Sequence, residues 1–461
     1  MRKFFSGVGN WIKSLFCIHD DKEPRLLTLS KKESTRSFVS SLVCILAGVI
    51  VGFIVMMILA LASSEDQIYF SDAFGGLFTM LAGPFTAANA AFSFGNMIFY
   101  AVPIIMTGLS VAIAFKTGLF NIGAAGQYFM GAMGSLLVAL NINCTGNDVA
   151  GFFVWLLALV VGMIFGMLWG CIPGLFKALF GVNEVIVCIM TNWIAANIVS
   201  WVFSSEGLKH LVNTGSGKSG YLIKTAVTNT GTPSLGLGKL FGNSYLDIGI
   251  FIAVALAIVI YIILNKTTFG YELKACGSNK HAAKYAGMNE KRNIILSMAI
   301  AGGLAAIGGA LYYLNPGIEL AYKAAYSKLP DNGFNGIPVA LLASNNPIGV
   351  IFAGLLLRYL SQGGGNLSAF GFNQYVADIV VALIIYFAGF AKLIRDVLVN
   401  RQKKQTEKVL AKIANTVANE TDSSPVDTDK QYVIDQDVLT DEETQIDEET
   451  QTDEEAQEVE K

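Results

Sequence analysis

Apolar runs of membrane-crossing length alternate with short polar breaks over most of the chain. The first is predicted at about 41–62, and the stretch after it, 63–96, contains no lysine or arginine. Further spans are predicted at about 97–115, 119–140, 151–175, 184–203, 245–264 and 294–314. Each comes near the roughly 20 residues that cross a bilayer as a helix. Ile337–Ala343 is too short to cross alone and is bounded by Asn335-Gly336 and by Ser344-Asn345-Asn346-Pro347. Runs at about 347–361 and 374–391 complete the set.

Charge orients these runs. Residues 265–293 form a polar island with six basic residues (Lys266, Lys274, Lys280, Lys284, Lys291, Arg292) against two acids, Glu272 and Glu290. Residues 392–412 hold seven more lysines and arginines. Basic loops stay on the cytoplasmic side, so an even number of crossings separates the two segments. That parity makes the short run 337–343 a broken or half helix, tolerated where it lies against protein rather than lipid. The expectation is an all-α polytopic membrane protein of ten crossings, with both termini cytoplasmic.

Two devices for packing helices are visible. Gly162, Gly166, Gly170 and Gly174 recur every fourth residue in one span, and Gly302, Ala306 and Ala310 repeat the pattern in another. Lipid gives no hydrophobic drive for helix association, and small residues let two backbones approach closely. Ahead of the first span, Phe4, Val8, Trp11, Ile12 and Leu15 share one face at helical spacing, with Arg2, Lys3 and Lys13 elsewhere. This reads as an amphipathic helix lying on an anionic inner leaflet.

The 461 residues are 53% hydrophobic, with a formal net charge of −3 that hides an asymmetry. Residues 420–461 carry 17 acids and two bases, leaving a net +12 on the rest. The hexads DEETQI, DEETQT and DEEAQE (441–458) have no apolar pattern and are expected to be disordered. Six scattered cysteines show no CxxC spacing, only Cys144 falls in an outer loop, and three isolated histidines offer no metal site.

Polar residues inside spans are costly unless paired, and usually face the bundle interior or a water-filled path. The candidates for a substrate path are Asn121, Gln127, Asn183, Glu184, Thr191 and Asn192. Glu184 lies at a span end, where a clamp or cap is the simpler role. Arg358, late in its span, is expected to snorkel to the outer interface. Gly215-Ser216-Gly217-Lys218-Ser219 looks like the end of a phosphate-binding loop, but the motif needs glycine where this chain has Val212. No Ser/His/Asp set or paired-carboxylate cleft appears, so the chain is not an enzyme and has no ATPase of its own. No charge falls between Met97 and Phe115 or between Leu119 and Leu140. A proton- or sodium-coupled transporter or channel, the competing class, would have little there to titrate or coordinate. Nothing suggests nucleic-acid binding.

Within the basic island, Ala282, Ala283 and Ala286 sit at helical spacing between Gly277 and Gly287, which predicts a short, smooth-faced helix bounded by turns. The run GYELKACGSNKHAAKYAGMNEKR (270–292) resembles the cytoplasmic coupling segment of ABC-importer permeases of the ribose and nucleoside type. GLFNIGAAGQYFMGA (118–132) and GVNEVIVCIMTNWIA (181–195) resemble the same family, in the same order. The FNIGAAGQ and GVNEVI wording is nearest the branch that imports nucleosides with a basic-membrane-protein-type receptor, sugar import being the runner-up. The resemblance implies a second permease in a homo- or heterodimer, ATP-binding ABC subunits that hold the ATP and magnesium, and an external substrate-binding lipoprotein. No cofactor is implied in this chain. The chain is expected to comprise a cytoplasmic basic arm (1–40), a transmembrane permease domain (41–395) in the cell membrane and a cytoplasmic acidic tail (396–461), the arm and the tail being departures from the family pattern. Gly270, Glu272, Gly277, Ala282, Ala283 and Gly287 are the positions it assigns to ATPase coupling.

Overall fold

The computed structural model describes residues 33–62, 70–205, 221–223, 228–322 and 329–390, with a few further positions up to 400. The amphipathic arm before residue 33, the acidic tail and the phosphate-loop look-alike lie outside the described residues. The chain divides into Met1–Leu398 and Val399–Lys461, and everything that follows concerns the first unit.

Helices dominate. They are α1 (Glu33–Ala62), α2 (Phe70–Ala82), α3 (Ala90–Lys116), α4 (Ala124–Asn141), α5 (Asp148–Phe180), α6 (Glu184–Ser204) and α7 (Gly249–Lys266). Two short helices, α8 (Thr268–Ser278) and α9 (Lys280–Tyr285), lead to α10 (Glu290–Tyr313). Then come α11 (Asp331–Phe334), α12 (Gly336–Leu342), α13 (Pro347–Gly364) and α14 (Gln374–Ala388). One antiparallel ribbon pairs β1 (Tyr221–Ile223) with β2 (Leu320–Tyr322), Leu222 opposite Ala321.

Among the described residues, six helices are long and apolar enough to cross a membrane: α3, α5, α6, α7, α10 and the Leu42–Leu61 part of α1. The count rises to seven if the α11–α12 and α13 pair, bent by 120°, is one span. The ten crossings expected from sequence are therefore not reproduced. Helix α4 carries Gln127, Ser135 and Asn141 among its 18 residues and is mostly buried by protein, while α14 is only 15 residues long.

The bent pair stands where the broken crossing was expected. The Thr107 hydroxyl donates to the Asn332 carbonyl at 2.9 Å, and Gly108 lies against Val339 and Val350. From there α13 runs back along α3, until Gln362 donates to Ser93 at 3.2 Å. Thr107 and Gly108 lie well inside α3, and Ser93 lies at its start. The bend of 120° fits a broken span or a re-entrant turn, with α13 ending beside the start of α3. A re-entrant turn keeps the charge parity as well as two crossings would, and parity alone cannot tell them apart.

Helices α3 and α10 form the centre, with 83% of their apolar windows buried, against 22% for α1. The two small-residue stripes predicted from sequence pack on each other. Gly166 meets Gly302 and Ala306, Gly170 meets Met298 and Gly302, and a methyl added at Gly162 would sit 2.8 Å from the Gly131 carbonyl oxygen of α4. Helix α2, where an outer loop was expected, closes a smaller apolar cluster containing Met56, Met80, Leu360, Phe372 and Ile384.

Candidate functional site

Three polar groupings lie along the bundle, and they differ in how fully they are satisfied. The first is centred on the turn between α3 and α4. That turn brings Asn121 back up beside α3, where its amide donates to Ser110 at 3.0 Å and to Gln127 at 2.8 Å. Gln127 returns a bond to the Asn121 carbonyl at 3.1 Å. Asn192 of α6 accepts from the Gly126 amide at 2.8 Å and donates to the Ile122 carbonyl at 3.0 Å. Such reciprocal pairs fix the turn and occupy one another's hydrogen-bonding capacity. Thr191 bonds the Cys188 carbonyl at 3.0 Å, one turn back along its own helix. Asn183 caps α6 through the Val185 amide at 2.9 Å, and Glu184 pairs with Lys177 at 2.8 Å. The six sequence candidates therefore fall into one buried clamp (Asn121, Gln127, Asn192), one back-bonded hydroxyl and a closed helix end.

The second grouping was not singled out in the sequence. Tyr245, Tyr100, Tyr312, Tyr313 and Tyr128 form a continuous run of rings. Successive centroids are 6.5, 6.1, 5.0 and 6.1 Å apart. Phe99 stacks on Tyr312 at 5.7 Å with an interplanar angle of 18°. The run starts at Tyr245, 36% exposed and just ahead of α7, on the face opposite the basic island. It ends at Tyr128, 0% exposed, whose hydroxyl accepts from the Asn332 amide at 3.3 Å. Arg358 does not snorkel outward as expected. Its guanidinium carbon lies 4.7 Å from the Tyr100 ring centroid, within the range of a cation–π contact. One of its terminal nitrogens donates to Ser361 at 3.4 Å, and its Nε is buried without a partner.

Beside the mouth of this run, Asp247 is 2% exposed and precedes the first residue of α7. It accepts from the Gly249 amide at 2.8 Å and from Asn315 at 2.6 Å, tying the α7 entry to the α10 exit. Burial pushes its pKa up to about 7, despite those two hydrogen bonds, which act the other way.

The third grouping is the basic island, folded as two helices in place of the single one expected. Thr267 caps α8 and Asn279 caps α9. Gly287, at φ +80°, turns the chain into α10, a conformation glycine adopts without strain. Gly270 lies against the backbone of Ile263 and Leu264. Gly277 lies so close to the turn after α3 that an added methyl would be 2.9 Å from the Gly118 nitrogen. Ala282 is exposed, whereas Ala283 is only 2% exposed and faces the chain's own interior. The outward surface of α9 is therefore Ala282 with Tyr285, which is 94% exposed. Glu272 accepts from Asn293 of α10 at 3.0 Å and helps line a groove of about 440 Å³ with Tyr271, Met288 and Arg292.

Among the described residues, no three His, Cys, Asp or Glu side chains come together as a metal site would require. The tyrosine run could not be found from spacing, because its members come from α3, α4, α10 and a loop. The only sequence cue was a cation, Arg358, inside an apolar run.

Comparison with known proteins agrees with this arrangement. Residues 93–389 match the family model for the permease component of the branched-chain amino acid transport system. The chain is 35% identical over 370 residues to the nucleoside ABC transporter permease protein NupB of Lactococcus lactis, covering 80% of this chain and 95% of that one. It is 34% identical over 364 residues to the guanosine ABC transporter permease protein NupP of Bacillus subtilis, covering 79% and 96%. The glucose ABC transporter permease protein TsgB13 of Haloferax volcanii is 30% identical over 323 residues, covering 68% and 79%. No solved structure matches.

Proposed function

The chain belongs to the family of branched-chain amino acid transport system permease components, and on that premise we propose that it is the transmembrane subunit of an ABC importer for nucleosides. It is a transport subunit and not an enzyme. The observation that carries the substrate class is the near full-length match to two permeases named for nucleoside and guanosine transport. Import of a simple sugar is the second reading, favoured by the match to a glucose permease.

In this reading a receptor delivers the substrate at the face bearing Tyr245, and a pair of ATPases docks on the basic island at the opposite face. ATP and magnesium are held by those ATPases. A second permease completes the path, and both termini of this chain are cytoplasmic. Ala282 and Tyr285 make the outward contact on α9, while Gly270, Gly277, Gly287 and Ala283 shape the island from within. Glu272 links it to α10. The close approach of Gly277 to Gly118 gives the docked ATPase a direct mechanical route to the turn carrying Asn121. Asn121, Gln127 and Asn192 hold that turn beside the path, with Asn183, Glu184 and Thr191 fixing the adjoining helix. Coupling of this kind needs an element with two arrangements, and the turn is the part of the bundle that both ends touch.

The test is initial uptake of labelled guanosine, uridine and ribose by cells producing this chain with its partner subunits. Saturable, ATP-dependent nucleoside uptake that disappears when this chain is deleted is expected. Uptake of ribose or glucose alone would replace the nucleoside reading with the sugar one.

A further inference from the structure

We propose that Tyr245, Tyr100, Tyr312, Tyr313 and Tyr128 form a stacking ladder for the base of the transported nucleoside, with Arg358 reading the edge of that base. The proposal deepens the nucleoside reading above and rests on it.

Three observations converge. The first is continuity: five rings from four separate segments follow one another at 5.0 to 6.5 Å, from a partly exposed mouth to a fully buried floor. A ring of interface tyrosines that merely anchors helices to headgroups would be spread around the bundle rather than threaded into it. The second is the state of Arg358. It has no carboxylate partner among the described residues. Its Nε is a buried donor with nothing to donate to. A buried unsatisfied donor is costly, more so when it is charged, and an arriving acceptor relieves that cost. The third is the contrast with the clamp below. Asn121 and Gln127 spend their capacity on each other, whereas Arg358 Nε, and Ser244 Oγ beside Tyr245, are left open along the tyrosine run.

The chemistry that fits is a flat, uncharged aromatic ring with acceptors on one edge. Base-on-aromatic stacking tolerates any base, because every base has a π face. Rungs of similar strength let a solute move from one to the next without a deep trap, as conduction requires. Selectivity then falls to Arg358, since an arginine fork matches the O6 and N7 acceptors of guanine and not the amino group that adenine presents at the same place. Tyr100 under the guanidinium holds that fork in position from the opposite side.

The experiment uses the complete transporter in cells, at matched membrane abundance, and compares guanosine with adenosine and uridine. Tyr100→Leu and Tyr312→Leu should lower uptake of all three nucleosides about tenfold, the equivalent of ~1.4 kcal/mol, while the Phe variants keep most of it. Arg358→Gln and Arg358→Lys should lower the guanosine-to-adenosine ratio about tenfold, since lysine keeps the charge and loses the fork. Equal loss in the Leu and Phe variants, or an unchanged ratio in the Arg358 variants, would overturn the ladder and leave packing as the role of these residues. A second measurement does not depend on variants that insert. Photoactivated 8-azidoguanosine, added during turnover of the wild-type transporter, should label peptides containing Tyr100 or Tyr312. Labelling confined to other peptides removes the ladder and keeps the nucleoside reading. A wild type that imports no nucleoside removes both.

Discussion

Asn293 donates to the Glu272 carboxylate at 3.0 Å, fastening the exposed island to the buried start of α10. Asn293 is 0% exposed and also reaches the Cys276 sulfur at 3.5 Å, so a single amide joins two successive turns of α8 to the central helix. A bond to a charged group is typically worth about 1.5–3 kcal/mol, and the partial exposure of Glu272 argues for the low end. Glu272→Ala and Asn293→Ala should each lower ATP-driven uptake several-fold while the chain still inserts. The double variant should be little worse than either single one, because both remove the same contact. Additive losses in uptake would show that the two residues act separately.

Ala282 and Ala283 are neighbours with opposite expectations. Ala282 faces outward, so Ala282→Arg should block ATPase docking and abolish uptake without altering the amount of chain in the membrane. Ala283 is buried, so Ala283→Arg places an unpaired charge against the island's own interior and should lower folded abundance first. Co-purification of the ATPase with each variant, normalised to membrane abundance, separates the two. Normal co-purification and normal uptake with Ala282→Arg would remove α9 from the docking surface.

The sequence made the central seam legible because helix packing in lipid leaves a periodic trace. Gly162 to Gly174 and Gly302 to Ala310 each announced a close-packing face through spacing, and the structure supplies the partner by placing them against each other. The island was readable from charge, and its turn at Gly287 from glycine. What could not be read depends on depth and on distant neighbours. Whether 337–343 crosses or turns back depends on contacts such as that of Thr107 with Asn332, more than two hundred residues apart. Helix α2 was hidden in a stretch whose lack of lysine and arginine indicated its side of the membrane but not its shape. Side-chain direction on a helix of six residues also escaped, since one step around α9 exchanges the exposed Ala282 for the buried Ala283. The tyrosine run leaves no local pattern at all.

The glycine seam gives a graded prediction. Gly→Ala in a helix interior normally gains about 1 kcal/mol, so a loss must come from collision. A methyl at Gly134 would meet Phe165 Cγ at 2.9 Å and Cβ at 3.2 Å, so the Phe165 side chain must shift, while no backbone atom is in the way. A methyl at Gly170 would meet the Met298 carbonyl and the Gly302 backbone, which cannot move without shifting α10. Gly134→Ala should therefore lower the melting temperature in detergent less than Gly170→Ala, which carries an overpacking cost of about 1–3 kcal/mol. The reverse order would mean that α5 and α10 do not approach as closely as the structure places them.

Asp247 makes stability depend on pH in a direction that can be fixed beforehand. Its ordinary value is 3.8, and burial raises it to about 7 in the folded chain. Between those values the folded chain keeps a proton that the unfolded chain has released. Stability must then fall as pH rises through that window and level off above about 7. This is the opposite of a carboxylate held ionised by a salt bridge. Asp247→Asn cannot ionise, so its contribution to the slope should vanish. The substitution also puts an amide donor where the carboxylate accepted from both Gly249 and Asn315, so the variant should be less stable at the acid end of the range. Melting temperatures of the wild type and the variant, measured from pH 5 to pH 8 in detergent, should converge toward the alkaline end. Parallel curves across the whole range would mean that Asp247 stays ionised throughout, with its two hydrogen bonds outweighing burial.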